Sequence, residues 1–472
     1  MLENFIYMLP IIILLLGIGM FSVVNFKEDK NSKCFRISRT VLALSFILTV
    51  IFYNKPLIAG ITSANRYLLF FQTILYGGAF LILYLSRQWF SGAKISGHRF
   101  CYGVLLMVLA GDLLIVSRYL ALTAGAMILL MFGHIWFLRD SGGKKQQNTG
   151  VAVYLVSATV CTAVLVTVTV LLFLMYHTSD YTKLAYYIAA ERHNIFVFAM
   201  AVALIFCFLF LCGAAPLHYW RTELLDNVGL PTFACFLTVP MSACLAGFLR
   251  LNLKLLPYLT PSLSLFYAGV ALISVTIGAV GASSCRNVRK ILAYSTVLQT
   301  GIILLILQQF TAQTIFAATL YWFVFILTVW GLCTILFGLK NKGDYLFMLS
   351  EFAGLGKRHA FAAAWLVIFL FSLLGFPPFI GFFSLFTVLN NLVAYHHYYQ
   401  LLYLLAMLLI LGYAYLQIVK TMYFEDSKEI FDRTDTGIYV VLLLILLIMI
   451  AFVFKSVSWI ENIGLVTEAI AA

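Results

Sequence analysis

Apolar runs of about 18 residues or more, each long enough as a helix to cross a hydrocarbon layer of roughly 30 Å, recur from one end to the other of this 472-residue chain. A soluble core has no room for so many. With 63% hydrophobic and only 10% charged side chains, against about 25% charged in soluble domains, the chain treats the bilayer as its solvent. Lipid offers the backbone no hydrogen-bond partner, so spanning segments are helices or strands of a closed barrel. The runs lack the alternation of barrel strands, and the expected fold is an all-α integral membrane protein. The first run, Phe5 to Phe26, has neither a basic leader nor a small-residue cleavage site and reads as the first span rather than as a secretory signal.

Counting runs between polar breaks predicts fourteen spans, starting near residues 5, 38, 67, 100, 119, 151, 195, 231, 264, 290, 313, 361, 399 and 437. The least marked divisions are Asn54-Lys55-Pro56, between spans 2 and 3, and Arg118, between spans 4 and 5; without one or both of them the count is thirteen or twelve. Cytoplasmic loops are enriched in Lys and Arg. When all 30 basic residues are assigned to connections, 22 fall in alternate loops beginning with the first and 8 in the others. That parity persists to the loop holding Lys420, Lys428 and Arg433, which supports the count and sets both termini on the non-cytoplasmic face. The net charge of +12 is an orientation signal and a contact with anionic headgroups rather than a nucleic-acid footprint.

Connections such as 27–39 and 140–150 are too short to fold as soluble domains, which excludes a resident nucleotide, flavin or iron–sulfur module. No GxGxxG, P-loop or HExxH pattern occurs, so turnover by this chain alone is not expected. Seven of the nine cysteines (Cys101, Cys161, Cys207, Cys212, Cys235, Cys244 and Cys333) lie in apolar runs without CxxC spacing. They read as small hydrophobes. No cofactor and no metal site is expected.

A pair of helix breaks supplies the functional lead. Span 7 carries Gly213-Ala214-Ala215-Pro216 and span 12 carries Gly375-Phe376-Pro377-Pro378. Paired Gly/Pro interruptions in two halves of a chain are the sequence pointer to a transporter's ion or substrate site; the plainer reading is a proline kink. Five spans separate the pair, and an odd offset makes the two segments cross in opposite directions. Two inverted five-helix repeats follow from this, spans 4–8 and 9–13. The corresponding domains are residues 1–99 for spans 1–3, 100–255 and 256–425 for the repeats, and 426–472 for span 14 and the tail.

The residues around these breaks resemble a known family. The stretch from Gly213 to Trp220, GAAPLHYW, resembles the "PFHxW" signature of the antiporter-like membrane subunits of respiratory complex I (NADH:quinone oxidoreductase). From Lys290 to Gly301, KILAYSTVLQTG is similar to their "LLAYSSIxHxG". From Ser372 to Phe383, SLLGFPPFIGFF is similar to "SLxGxPPxxGFxxKF", and the preceding EFAGL from Glu351 to Leu355 to "DYAGL". Tyr413-Ala414-Tyr415-Leu416 and Met422-Tyr423-Phe424 look like the "YYYLR…MYF" of the N-type, or subunit 2, member. Order and spacing agree from about Asp112 to the final span, and subunits of multisubunit cation/proton antiporters share the motifs. The resemblance implies fourteen helices, discontinuous helices 7 and 12, and a row of buried charges that carries protons while quinone is reduced elsewhere. It further implies a bacterial inner (plasma) membrane location, other membrane-arm subunits as partners, and protons or sodium as the coupled ion.

The implied charges are absent. Alignment on Asp112-Leu113-Leu114 puts the family's helix 5 Glu at Ala121, and counting back from Pro216 puts the helix 7 Lys at Leu211. The helix 8 Lys falls at Met241, or at Ser242 if anchored on Phe236-Leu237, and the helix 12 Lys at Leu385. Relay groups need accessible protonation equilibria, which these side chains lack. The remaining candidates for a proton path or helix break are Asp112, His134, His218, Gln299 at the family's His position, Pro216 and Pro377. Each has a plain structural alternative: Asp112 could pair with Arg118, His134 could make a helix contact, and His218 could satisfy freed backbone groups. Glu351, Lys357 and Arg358 read as surface contacts. Three functional readings stand: a proton-translocating complex I subunit, a non-pumping structural subunit, and a subunit of a multisubunit cation/proton antiporter. A stand-alone secondary transporter has no dense polar cluster to support it.

Overall fold

Where an apolar run meets no glycine or proline turn, the backbone satisfies itself as a helix, and helices make up nearly all of the described chain. The structure is a computed structural model and describes residues 9–23, 30–52, 66–92, 97–138, 145–256, 258–426 and 431–454. Before the first break come α1 (Leu9–Val23), α2 (Lys30–Phe52), α3 (Arg66–Gly92), α4 (His98–Val116), α5 (Leu120–Leu138), α6 (Lys145–Tyr176), α7 (Tyr181–Ala190) and α8 (Ile195–Cys212). Then follow α9 (Tyr219–Asn227), α10 (Leu230–Arg250) with a π-helical continuation Leu251–Leu255, α11 (Thr260–Ser283), α12 (Val288–Leu307) and α13 (Ala312–Gly338). The chain ends with α14 (Leu355–Arg358), α15 (Ala360–Leu374), α16 (Ile380–Ala394), α17 (Tyr398–Phe424) and α18 (Thr436–Phe454).

Between α13 and α14, strands β1 (Lys340–Asn341) and β2 (Asp344–Tyr345) pair antiparallel, Lys340 opposite Tyr345 and Asn341 opposite Asp344. A 3-10 turn, Leu349–Phe352, follows them. Among the described residues, ten helices are long and apolar enough to cross a membrane and five further apolar helices are shorter. Helix starts at Leu120, Ile195, Leu230, Ala312 and Tyr398 fall within about one residue of those read from the apolar runs. The division at Arg118 is a true interruption, lying between α4 and α5; the one at Asn54-Lys55-Pro56 lies outside the described residues.

The described residues fall into two compact units: Met1–Cys212 with Asn227–Ser262, and Gly213–Asp226 with Leu263–Leu465. In the first, α10 is the core element, since every one of its 21 residues is buried, as expected of a helix that is apolar all round. It packs on α3, α4 and α8. Helix α6 is the opposite case, presenting Val156, Val160 and Leu174 outward. In the second unit, α12 and α13 form the centre, with α15, α16 and α18 against α13. Small residues set the spacing of α11 and α12: a Cβ on Gly278 would lie 2.5 Å from the Leu298 nitrogen, and one on Gly301 would lie 2.9 Å from the Ala271 carbonyl. Such close backbone approach is how helices associate when no hydrophobic effect drives them together.

Candidate functional site

The second break is built from two prolines. In an uninterrupted helix the carbonyls of Leu373 and Leu374 would accept from the N–H groups four residues on, but positions 377 and 378 are prolines and have none. Gly375, at φ +80°, ends α15 in a Schellman turn: its N–H returns to the Ser372 carbonyl at 3.1 Å and that of Phe376 to the Phe371 carbonyl at 3.0 Å. The Leu373 carbonyl is satisfied from outside, by Gln299 Nε2 at 2.9 Å. The Tyr321 hydroxyl donates to Gln299 Oε1, so the amide is held from both ends. Opposite it, the Ser372 hydroxyl lies 3.3 Å from Thr328 Oγ1 and 3.3 Å from the Gly381 nitrogen. Gln299, Tyr321, Thr328, Ser372 and Ser384, together with Val324 and Phe325, line a small cavity, about the size of one water molecule.

The first break shares this local plan. Gly213 has φ +66°, and the Ala215–Pro216 peptide is cis, as is Pro377–Pro378. The Ala215 N–H donates to Ser274 Oγ at 2.9 Å, and that hydroxyl in turn donates to the Val270 carbonyl at 2.7 Å. His218 sets its ring 6.3 Å from that of Tyr294, and its Nδ1 is buried without a hydrogen-bond partner among the described residues. Beside it lies Arg221, only 1% exposed. Its guanidinium rests on the backbone of Gly213, where a Cβ would come within 2.6 Å of Cζ. It lies 5.5 Å from the Trp220 ring and reaches Thr296 Oγ1 at 3.5 Å.

Helix α12 serves both breaks. Thr296 faces Arg221, and Gln299, one turn on, faces the end of α15. At the outer end of α12, Lys290 lies 3.3 Å from Asp226 and 3.5 Å from Glu223, and Asn287 Nδ2 donates to Asp226 at 2.7 Å.

Asp112 and His134 lie in the first unit, each enclosed with its own partners. Asp112, fully buried, accepts from Gln72 Nε2 and from the Tyr76 hydroxyl, the latter at 2.7 Å. It does not pair with Arg118, which instead meets Asp180 at 2.9 Å. The reason is local: Asp180 caps α7, where it accepts from the Thr182 N–H at 2.9 Å and the Thr182 hydroxyl at 2.6 Å. Burial raises the Asp180 pKa, but the Thr182 hydrogen bonds and the Arg118 charge outweigh it and hold the carboxyl below its usual range. His134 bonds the Tyr154 hydroxyl through Nδ1 and stacks on Phe236 at 4.6 Å. Arg250, at the end of α10, donates to the Ile115 carbonyl at 2.9 Å and so caps the last turn of α4.

Of the positions aligned with the family's charges, Ala121 is exposed, and Leu211, Met241 and Leu385 are buried. Among the described residues Ser242 bonds only its own helix, at the Val239 carbonyl, 2.8 Å away. Leu385 packs on Gly375, its Cδ2 lying 2.5 Å from where a Cβ would stand. In the loop before α15, Glu351 is not a plain surface contact: its Oε2 accepts from the N–H groups of Phe347 and Met348 at 2.6 and 2.8 Å. Lys357 is exposed and pairs with Asp426 at 2.5 Å.

Arg221 is the residue that sequence reasoning missed. Assigning every basic residue to a connection counted it in a loop, whereas it is among the largest fully buried side chains. Its removal takes one from the larger side of the 22-to-8 split and leaves the bias standing. Its place five residues after Pro216 was the available signal. Tyr321, Thr328 and Ser372 come from other helices, and only packing shows that they meet Gln299.

Apolar helices, two of them interrupted at Gly-x-x-Pro turns and joined by buried polar groups, define a multi-pass membrane protein with discontinuous helices. The chain belongs to the NADH:quinone oxidoreductase/Mrp antiporter transmembrane family, which matches residues 115–409. Curated relatives include the NADH-quinone oxidoreductase subunit N of Azorhizobium caulinodans, 26% identical over 373 residues, or 77% of this chain and 76% of the relative. Among solved structures, a chain of respiratory complex I from Thermus thermophilus with bound aureothin superposes with a TM-score of 0.81 at 18% identity, covering 98% of this chain and 99% of that one. A chain of the Mrp complex from Dietzia sp. DQ12-45-1b reaches 0.86 at 14% identity and full coverage of both. At these identities the structural likeness speaks for the fold.

Proposed function

We propose that this chain is a membrane-arm subunit of a bacterial NADH:quinone oxidoreductase, contributing to the coupling of quinone reduction, carried out by partner subunits, to proton translocation. On this reading it spans the inner membrane fourteen times, with both termini on the non-cytoplasmic side and inverted repeats over spans 4–8 and 9–13. The observation that carries it is the pair of helix breaks, each tied by a buried side chain to α12, in a chain whose curated relatives bear that subunit's name. Helices α6 and α17 add support, because outward apolar residues such as Val156, Leu174, Tyr399 and Leu409 suit neighbouring subunits and lipid.

A specific observation favours a second reading, in which the subunit holds its neighbours together without conducting. Leu385 seats against Gly375 at the second break, and the buried Leu211 and Met241 cannot exchange protons. In both readings the protein acts within an assembly. Solubilised in mild detergent and run on a native gel, it should co-migrate with other polytopic subunits and with NADH:quinone reductase activity. Migration solely as a monomer in several such detergents would remove the basis for the assignment; co-migration with antiporter subunits lacking that activity would move it to the antiporter branch.

A further inference from the structure

We infer that α2 and α3 together bind an anionic phospholipid, with Arg36, Arg39 and Arg87 on its phosphate and the rings of Phe46 and Phe80 beside its acyl chains. Both helices are long and apolar enough to cross a membrane, and they pack against each other. Two contacts fix an antiparallel register: the Phe35 ring lies 5.7 Å from that of Phe90, and Arg39 Cζ lies 5.9 Å from the centre of the Tyr84 ring. One turn from the second contact, toward the start of α2 and the end of α3, stand Arg36 and Arg87, each three residues away. They share a level, and the charges of both act on Arg39.

Three positive charges held this close repel one another unless an anion sits among them. Among the described residues none of the three has a carboxylate partner; the ion pairs lie at Asp180, Glu223, Asp226 and Asp426 instead. Arg36 and Arg87 are exposed. Arg39 is half-buried and held in place, its Nε donating to the Phe35 carbonyl at 3.1 Å and its guanidinium set over Tyr84, which leaves its terminal nitrogens for a ligand. Guanidinium groups suit phosphate, whose oxygens they meet through paired N–H groups. What stands deeper along the two helices decides which phosphate. Phe46 lies about 10 Å beyond Arg39 on α2, and Phe80 about 6 Å beyond Tyr84 on α3; they are 38% and 37% exposed. An anion that carries hydrocarbon chains uses both levels, whereas a free phosphate or an acidic peptide at the headgroup layer would use only the first. The site requires that the chain span a membrane, whichever complex it joins.

The full chain, purified in a mild detergent, is titrated with dioleoyl phosphatidylglycerol, and bound lipid is counted by native mass spectrometry. Dioleoyl phosphatidylcholine, of the same chains and no net charge, is the reference. R36Q/R87Q removes two exposed charges and no hydrogen bond printed by the fold, so its thermal midpoint without added lipid should match wild type. Wild type should prefer phosphatidylglycerol, and R36Q/R87Q should bind it about tenfold more weakly while binding phosphatidylcholine as before. K183Q/R192Q, which removes two exposed charges in and just after α7, should bind like wild type. Equal affinity of R36Q/R87Q and wild type would overturn the inference. So would the same loss in K183Q/R192Q, since net charge and not the site would then be responsible. Release of the lipid from wild type by millimolar inorganic phosphate would replace the lipid with a free anion and overturn it too. A lowered midpoint for R36Q/R87Q would do the same by making the arginines part of the frame. If that variant kept its lipid but lost a partner subunit on a native gel, the charges would belong to an acidic protein surface and the lipid site would fall.

Discussion

Pro377 and Pro378 withdraw two N–H groups from the end of α15, and Gln299 supplies one of the missing donors from α12. A buried carbonyl stripped of its partner costs about 1–3 kcal/mol, and here the Tyr321 hydroxyl would lose its acceptor as well. Gln299→Leu is therefore expected to destabilise the protein by about 2–3 kcal/mol, read as an earlier midpoint in thermal unfolding of the detergent-purified chain. Ser283→Ala, which removes only an exposed bond to its own helix, should leave the midpoint where it was. A Gln299→Leu midpoint equal to that of wild type would mean that the bond does not support the break. Gln299 was legible in sequence as a polar residue at a motif position. Its task was not, because Tyr321 and Leu373 lie 22 and 74 residues away, and no local pattern ties them together.

At the scale of elements, the apolar runs announced the long helices and the Gly-x-x-Pro turns announced the breaks, because a proline without an N–H cannot continue a ladder whatever surrounds it. Short polar elements were not legible. Helix α7, ten residues from Tyr181, and the β1–β2 pair depend on a cap at Asp180 and a turn through Gly343, signals too brief to stand out beside the long runs. Arg118 could be seen as an interruption, but its partner could not, because Asp180 lies 62 residues on. The element most sensitive to a single atom is the start of α16. A Cβ on Gly381 would sit 1.6 Å from the Ser372 carbonyl, a backbone atom that cannot swing aside, so α15 and α16 would have to part. Gly381→Ala should sharply reduce accumulation of folded protein, whereas Gly269→Ala on α11, where nothing lies within 4 Å, should be tolerated. Equal yields of the two variants in membranes would show that the second break does not need this close approach.

For the whole molecule the question is whether protons pass through this subunit, and His218 is where that can be decided. It is the imidazole at the first break, and its Nδ1 is buried and unpartnered among the described residues. If it carried protons, His218→Leu would lower the number translocated per electron while the complex still assembled. The surroundings argue otherwise. Leu211 and Met241 are buried and apolar in one unit, as is Leu385 in the other, and bringing a charge past such side chains costs several kcal/mol. One imidazole does not offset that along a whole path, least of all beside the buried guanidinium of Arg221. The expected result is an unchanged proton-to-electron ratio in His218→Leu vesicles, with at most a lower yield of assembled complex through lost packing against Tyr294. Normal assembly with a clearly reduced ratio would instead make the first break a working proton path, and the structural reading of this subunit would fall with it.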